Sequence, residues 1–207
     1  MDPKTYLTNY PHNFFNLNRL HERIDDLLAD YSKLLTIRLD LYIKDEYMHQ
    51  MSNVYMTAYL AKFRDNMRRN SMFNHLLSYA WKLEYGIGRK WHLHILFLFD
   101  GQYVQQDQYL SMQIGRYWND VITHGMGTFH SCNEKQGKYK ENGIGMIEYH
   151  DVDKRNHLKT ASSYLTKLVV PIHGCVDAAG KAIRSFGMSQ YQPKNVNAGR
   201  PRKYYEF

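Results

Sequence analysis

Two histidines spaced by one residue, His92-Leu93-His94, sit inside an apolar run from Trp91 to Phe99 rich in the residues that strands favour. Successive side chains of a strand leave on opposite faces, so both imidazoles project together while Leu93 packs behind them. Two adjacent imidazoles can hold one divalent cation, and a metal needs at least a third ligand. Glu84 supplies it if the segment Leu76 to Tyr85 pairs with the histidine strand through the glycine-containing connection Gly86-Ile87-Gly88-Arg89-Lys90. Glu84, His92 and His94 would then form a three-point seat with open coordination positions. Such a seat suits Mg²⁺, Mn²⁺ or Zn²⁺ acting as a Lewis acid on a phosphate oxygen, whereas structural zinc requires four closed ligands. His-x-His pairs also arise by chance among 11 histidines, so the carboxylate at the right offset carries the argument.

The second group able to do chemistry is Tyr164, with Lys167 three residues on. On a helix these side chains share a face. A phenol titrates near pH ~10 and is a weak nucleophile, so it needs a polarised phosphate and a nearby cation to stabilise the phenolate. Lys167 is placed to be that cation. The chain holds 18 tyrosines, so Tyr-x-x-Lys gains meaning only beside the metal triplet. His150 and Asp151 are candidates for a further ligand or a general base.

Twenty-seven Lys and Arg against 20 Asp and Glu give a net charge of +7, and aromatic residues make up 14% of the chain. Cations for phosphates interleaved with flat rings for unstacked bases suit a single-stranded nucleic acid. Arg38, Arg64, Arg68, Arg69, Arg89 and Lys90 are the candidate phosphate contacts. A solvated basic helix face is the bland alternative for the cluster at 64–69. Trp81 and Trp91 are expected in the core. Cys132 and Cys175 form no Cys-x-x-Cys pair, Met1 to Thr5 lacks the apolar core of a signal peptide, and no run of about 18 apolar residues occurs. A reduced, cytoplasmic setting is expected.

These residues must be positioned by a fold. Residues 1–33 read as an irregular arm through Asn18, then a helix capped by Asn18 with Leu20, Ile24, Leu27, Leu28 and Tyr31 on one side. Leu34 to Ile43 alternates, with Leu35, Ile37, Leu39 and Leu41 on one face and Thr36, Arg38, Asp40 and Tyr42 on the other, which predicts a half-buried strand with a polar working face. Asp45 to Asn70 turns helical, Leu76 to Tyr85 and Trp91 to Phe99 form the hairpin, and Gln108 to Thr123 is helical. Cys132 to Asn142 reads as a polar loop, Gly143 to Tyr149 as a fourth strand, and Lys154 to Leu168 as a helix stopped by Pro171. Asp177 to Gly180 is a turn and Ile183 to Met188 a last short strand. Residues 191–207 form a basic flexible tail. This order describes an α+β domain over 34–190, with a mainly antiparallel central sheet and flanking helices.

Thr36-Ile37-Arg38-Leu39-Asp40, then Glu84 with His92-Leu93-His94, then Tyr164-Leu165-Thr166-Lys167 together resemble the His-hydrophobe-His (HUH) endonucleases. That superfamily includes rolling-circle replication initiators, relaxases and single-tyrosine transposases. More narrowly, Arg38-Leu39-Asp40-Leu41-Tyr42, Trp81-Lys82-Leu83-Glu84 before His92-Leu93-His94-Ile95-Leu96, and Arg184-Ser185-Phe186-Gly187 look like the inovirus-type initiators of phages and prophages. The resemblance implies a Rep-like nicking domain with an RRM-like, ferredoxin-type core. It implies Mg²⁺ or Mn²⁺, ahead of Zn²⁺, on Glu84, His92 and His94, in the cytoplasm of a bacterial host. Tyr164 would attack the scissile phosphate of single-stranded origin DNA, leaving a 5′-phosphotyrosine link and a free 3′-hydroxyl, with Lys167 orienting or charge-balancing the phenol.

Reversal by a 3′-hydroxyl would rejoin the strand. The sequence holds no GxxxxGK[ST] phosphate loop, so unwinding would fall to a host helicase in trans or to supercoiling. The alternatives are a single-tyrosine transposase or relaxase-type strand transferase, a DNA-binding protein that has lost cleavage, and a metal hydrolase of small molecules. The last explains neither the charge nor Tyr164.

Overall fold

The computed structural model describes residues 11–86, 90–134, 143–168 and 175–191. Leu17, Leu20, Ile24, Leu27 and Leu28 recur at helical spacing and bury one side of α1 (Phe14–Asp30). The cap is Asn13 and not Asn18: the Asn13 side chain accepts the Asn16 amide. Phe14 and Phe15 are exposed, so this first turn carries no apolar period to reveal it. Then come β1 (Lys33–Ile43), a 3₁₀ turn (Asp45–Gln50), α2 (Asn53–Met67), β2 (Leu76–Gly86) and β3 (Lys90–Asp100). They are followed by α3 (Asp107–Tyr117) with a π turn (Trp118–Ile122), β4 (Gly127–Ser131), β5 (Gly145–Glu148), α4 (Val152–Ser163) with a 3₁₀ turn (Tyr164–Thr166), and β6 (Phe186–Met188).

The fold is α+β, and all strand pairings of the six-stranded sheet are antiparallel. The order is β4-β1-β3-β2-β6, with β5 sharing the β4 edge of β1. From β1 to β4 the connectivity is β-α-β-β-α-β, the ferredoxin-like arrangement. Strand β4 was not expected. Its Gly-Thr-Phe-His-Ser has little apolar alternation and becomes a strand because Leu39 to Ile43 of β1 offer it an edge.

Odd-numbered side chains of β1 and β3 (Leu35 to Ile43, Leu93 to Phe99) meet Met56, Leu60 and Phe63 of α2 and Leu110, Ile114 and Trp118 around α3. On the other face Leu34, Ala80, Leu96 and Leu98 meet α1 and α4 through Leu20, Ile24, Leu27 and Leu158. That second apolar layer stops at Leu96. Beyond it the same face carries His94, His92, Glu84, Lys82, Asp40 and Tyr42. This working face is not half-exposed as predicted: Thr36 is fully buried, with its hydroxyl donating toward the Gly143 and Gly145 carbonyls, and Asp40 is only 9% exposed. Trp81 and Trp91 lie in the core as expected.

Arg89, Pro171 and most of the 132–142 loop and the basic tail fall outside the described residues. Tyr191 is tied back to α1 by a hydrogen bond from its hydroxyl to Asp30. None of the described helices is long and apolar enough to cross a membrane.

Candidate metal centre and its tyrosine

Strand register alone assembles the polar cluster. On β3, His92 stands between Glu84 of β2 and Tyr42 of β1, and His94 between Lys82 and Asp40 of the same two strands. Directly opposed side chains of neighbouring strands share a face at close range. Glu84 Oε2 lies 3.5 Å from His92 Nε2 and 3.6 Å from His94 Nε2. The three ligand atoms fall within 4.8 Å of one another, and all three residues are buried.

The other nitrogen of each imidazole is held. His92 Nδ1 is 3.0 Å from the Lys90 carbonyl, which can only accept, so Nδ1 carries a proton and Nε2 is the nitrogen turned toward Glu84. Lys90 itself takes a positive φ of 46°. His94 Nδ1 lies 2.5 Å from Asp40 Oδ1, a buried charge-assisted contact. A carbonyl or carboxylate behind each ring is how ligating histidines are oriented. The donor set also fits a cation: Glu84 Oε1 and His94 Nε2 are buried with no hydrogen-bond partner among the described residues. A bare buried acceptor costs about 1–3 kcal/mol, and a divalent ion would supply the partner each lacks. The Glu84-His92-His94 group can therefore bind a divalent metal ion.

The charges reinforce each other. Burial pushes the Glu84 carboxyl up, but the His92 and His94 imidazoles outweigh it and leave Glu84 well below the ordinary carboxylate range. For His94, burial favours the neutral ring, while the hydrogen bond to Asp40 and the nearby Asp40 and Glu84 carboxylates raise its pKa overall. Asp40 is likewise favoured by burial toward protonation, but pulled lower by His94 and Arg38.

Tyr164 arrives from above the sheet. It does not sit on an α-helix with Lys167 one turn further along: α4 ends at Ser163, Tyr164 opens a 3₁₀ turn, and Lys167 has left the helical region with ψ at 134°. The helix is diverted because Ser162, Ser163 and Thr166 hydroxyls bond back to the carbonyls of Lys159, Thr160 and Ser163. The backbone beyond is then claimed by the segment before α1, with Asn13 N donating to the Thr166 carbonyl at 2.8 Å and Leu168 N to the Pro11 carbonyl at 2.8 Å. His12 Nδ1 contacts Thr166 Oγ1 at 3.1 Å.

Held this way, the Tyr164 hydroxyl donates to Glu84 Oε2 at 3.3 Å, and its ring stands edge-on to His94. The two residues still meet: Lys167 Nζ is 5.3 Å from the ring centre, and the Arg38 guanidinium is 5.2 Å from it. Burial and then the Glu84 carboxylate push the phenol above its ordinary pKa, with Arg38 pulling the other way.

Of the proposed phosphate contacts, Arg38 thus lies beside the tyrosine, with its Nε 3.9 Å from Asp40. Lys90 is exposed at the start of β3, 6.0 Å from the Tyr85 ring. Arg64 donates to the Tyr79 hydroxyl, Arg68 pairs with Asp65, and Arg69 is exposed. His150 is exposed and pairs with Glu148, and Asp151 caps α4 by accepting the Lys154 amide.

Two roles escape the sequence reading, which places Asp40 on the polar face of its strand and Lys82 in the segment before Glu84 without assigning either a task. Asp40 is the support of His94. Lys82, only 3% exposed, donates at 2.6 Å to the Lys167 carbonyl and so ties the tyrosine turn to the sheet. Burial lowers its pKa, against the pull of Glu84. Period-2 alternation back from Glu84 could have placed Lys82 on the metal face.

Comparison with curated proteins and with solved structures finds no match. The family model of the YagK/YfjJ C-terminal domain matches residues 2–189, and the chain belongs to that family.

Proposed function

We propose that this protein is a metal-dependent nicking and joining enzyme of the HUH type, initiating rolling-circle replication by opening single-stranded DNA at an origin. The reading rests on one observation: a half-buried tyrosine, its hydroxyl 3.3 Å from Glu84 Oε2, reaches into a cluster with the makings of a metal seat. A tyrosine kept only for packing has no need of that company. Glu84, His92 and His94 would hold the ion, with Mg²⁺ or Mn²⁺ preferred to Zn²⁺ because open positions suit octahedral coordination. Its chemistry there is Lewis-acid polarisation of the scissile phosphate.

The chain's own groups do the rest. Asp40 and the Lys90 carbonyl fix the imidazole tautomers. Lys82, His12 and Asn13 hold the turn so that the Tyr164 oxygen is presented to the phosphorus without a search through rotamers. The phenol gives up its proton to water, Arg38 and Lys167 beside the ring offset the charge of the phenolate, and the departing 3′-oxygen takes up a proton from water. The new phosphorus–oxygen bond to Tyr164 forms as the bond to the 3′-oxygen breaks, leaving a 5′-phosphotyrosine and a 3′-hydroxyl that can prime synthesis or reverse the step. Strand separation falls to a helicase in trans.

The test uses labelled single strands tiling the DNA around the protein's own coding region, with Mn²⁺ or Mg²⁺, run on a denaturing gel. A covalent adduct is expected, lost with EDTA and with Tyr164→Phe. An adduct that survives Tyr164→Phe moves the nucleophile elsewhere. No cleavage on any strand leaves a DNA-binding protein without chemistry.

A further inference from the structure

A second feature lies on the other side of the sheet. At the β6 edge, next to the end of α2, a cleft of about 710 Å³ is lined by Arg64, Arg68, Arg184, Tyr79, Asn74 and Gln190 among others, with no carboxylate among the described lining residues. Tyr79 belongs with the α2 layer, whereas Glu84, His92 and His94 point from the opposite face. Among the described residues Arg64 and Arg184 have no carboxylate within ion-pair distance; Arg68 has Asp65 at 3.6 Å, a pair that is largely solvent-exposed. Arg64 donates from its Nε to the Tyr79 hydroxyl at 3.2 Å, which anchors the guanidinium in the cleft lining.

The Arg184-Ser185-Phe186-Gly187 segment, unused by the nicking site, is what builds this edge. The Ser185 carbonyl accepts the Leu83 amide at 2.8 Å, and Phe186 packs toward the α1 side. Gly187 lies so close to Trp81 that an added Cβ would fall 2.5 Å from the indole. Without a side chain there, β6 pairs with β2, and the exposed Arg184 just before it lines the cleft together with Arg64 and Arg68 of α2 and its end.

We infer that this cleft binds the backbone phosphates of single-stranded DNA, giving the strand a second grip separate from the nicking centre. Three guanidiniums without a lining acid match a polyanion, and the amides and hydroxyls of Asn74, Gln190, Ser189 and Tyr79 suit sugar and phosphate oxygens. The choice of DNA rests on the nicking function proposed above; the arginine cleft itself does not. A strand held here runs around the β6 edge, and grip and chemistry are then independently mutable.

The test measures binding only, on full-length Tyr164→Phe protein in EDTA, so a failure of the nicking reading leaves it intact. Fluorescence anisotropy of a labelled single-stranded 30-mer is followed across salt concentrations. Arg64→Ala/Arg184→Ala is expected to weaken affinity at least ~10-fold and to flatten the log–log salt dependence by about 1.4, that is, ~0.7 for each phosphate of a single strand left without its arginine. Arg116→Ala/Lys181→Ala, which removes the same charge elsewhere, is expected to stay within about twofold. Arg184→Glu, at an exposed position, repeats the test without touching the Tyr79 hydrogen bond, and thermal melting confirms that each variant is folded. Equal losses in both double variants would reduce the effect to net charge and overturn the site. So would unchanged affinity, release of the 30-mer by millimolar inorganic phosphate or mononucleotide alone, or loss seen only with duplex.

Discussion

Replacing Asp40 with asparagine removes the charge behind His94 while keeping the shape of the side chain. The 2.5 Å contact to His94 Nδ1 is buried, with side-chain exposures of 6% and 13%, so water cannot replace it. The substituted amide still has one oxygen to accept from Nδ1. Its nitrogen, if turned inward, would instead ask Nδ1 to accept, moving the ring proton to Nε2 and blocking the lone pair a metal needs. Loss of such an orienting partner typically weakens metal binding about 10–100-fold.

The assay is the rise in stability on adding Mn²⁺, read by thermal or denaturant unfolding. At about 100 times the wild-type Kd the parent gains about 2.7 kcal/mol; the variant should gain only about 1.4 kcal/mol for a tenfold loss, or about 0.4 kcal/mol for a hundredfold loss. The metal-free variant is also expected to melt lower, because a charge-assisted buried hydrogen bond is gone, so the comparison is of each protein with and without metal. An equal Mn²⁺ response in parent and Asp40→Asn would refute the orienting role. A parent with no response would refute the metal seat itself.

Lys82→Met should keep Mn²⁺ affinity within about threefold while slowing single-turnover adduct formation by up to ~100-fold, since it frees the Tyr164 turn rather than the ligands; weakened metal binding with an unchanged rate would count against the tether. The metal-free protein should be most stable between the ordinary carboxylate and imidazole pKa values. The depressed Glu84 and Asp40 contribute stability that is present above their unfolded pKa near ~4 and is lost as pH falls through their folded values, whereas the raised His94 contributes stability that is full below ~6.5 and lost as pH rises through its folded value. Because Mn²⁺ must displace the His94 proton, its apparent affinity should tighten with pH across that same upper range, and titration calorimetry at several pH values would expose a flat response. Gly187→Ala forces a Cβ to 2.5 Å from Trp81, so a loss of about 1–3 kcal/mol is expected in chemical unfolding; a neutral result would mean that β6 is not pressed on β2.

Much of this molecule is written locally. Period-2 alternation in Leu34 to Ile43 and the short, glycine-bearing link before Lys90 determine the strands and their register, and register alone brings Glu84 opposite His92. The candidate metal-binding group was therefore legible, because its three residues need nothing beyond one hairpin. β4 and the start of α1 were not. A five-residue edge strand is held by the partner it finds, and the first turn of α1 is held by a cap and by segments that meet it from far along the chain.

The tyrosine shows the same division more sharply. Tyr164 and Lys167 stood out by residue type and chain order, but helical spacing was the wrong reason for their meeting. What brings them together is a turn closed by hydroxyl groups and clamped by His12, Asn13 and Lys82, across separations no window along the sequence can see. Asp40 changed meaning in the same way: alternation put it on the polar face, and only the pairing of β1 with β3 set it behind His94. Local propensity determined which side chains shared a strand face; long-range packing decided which of them touch, because burial and hydrogen-bond satisfaction are settled between elements and not within them.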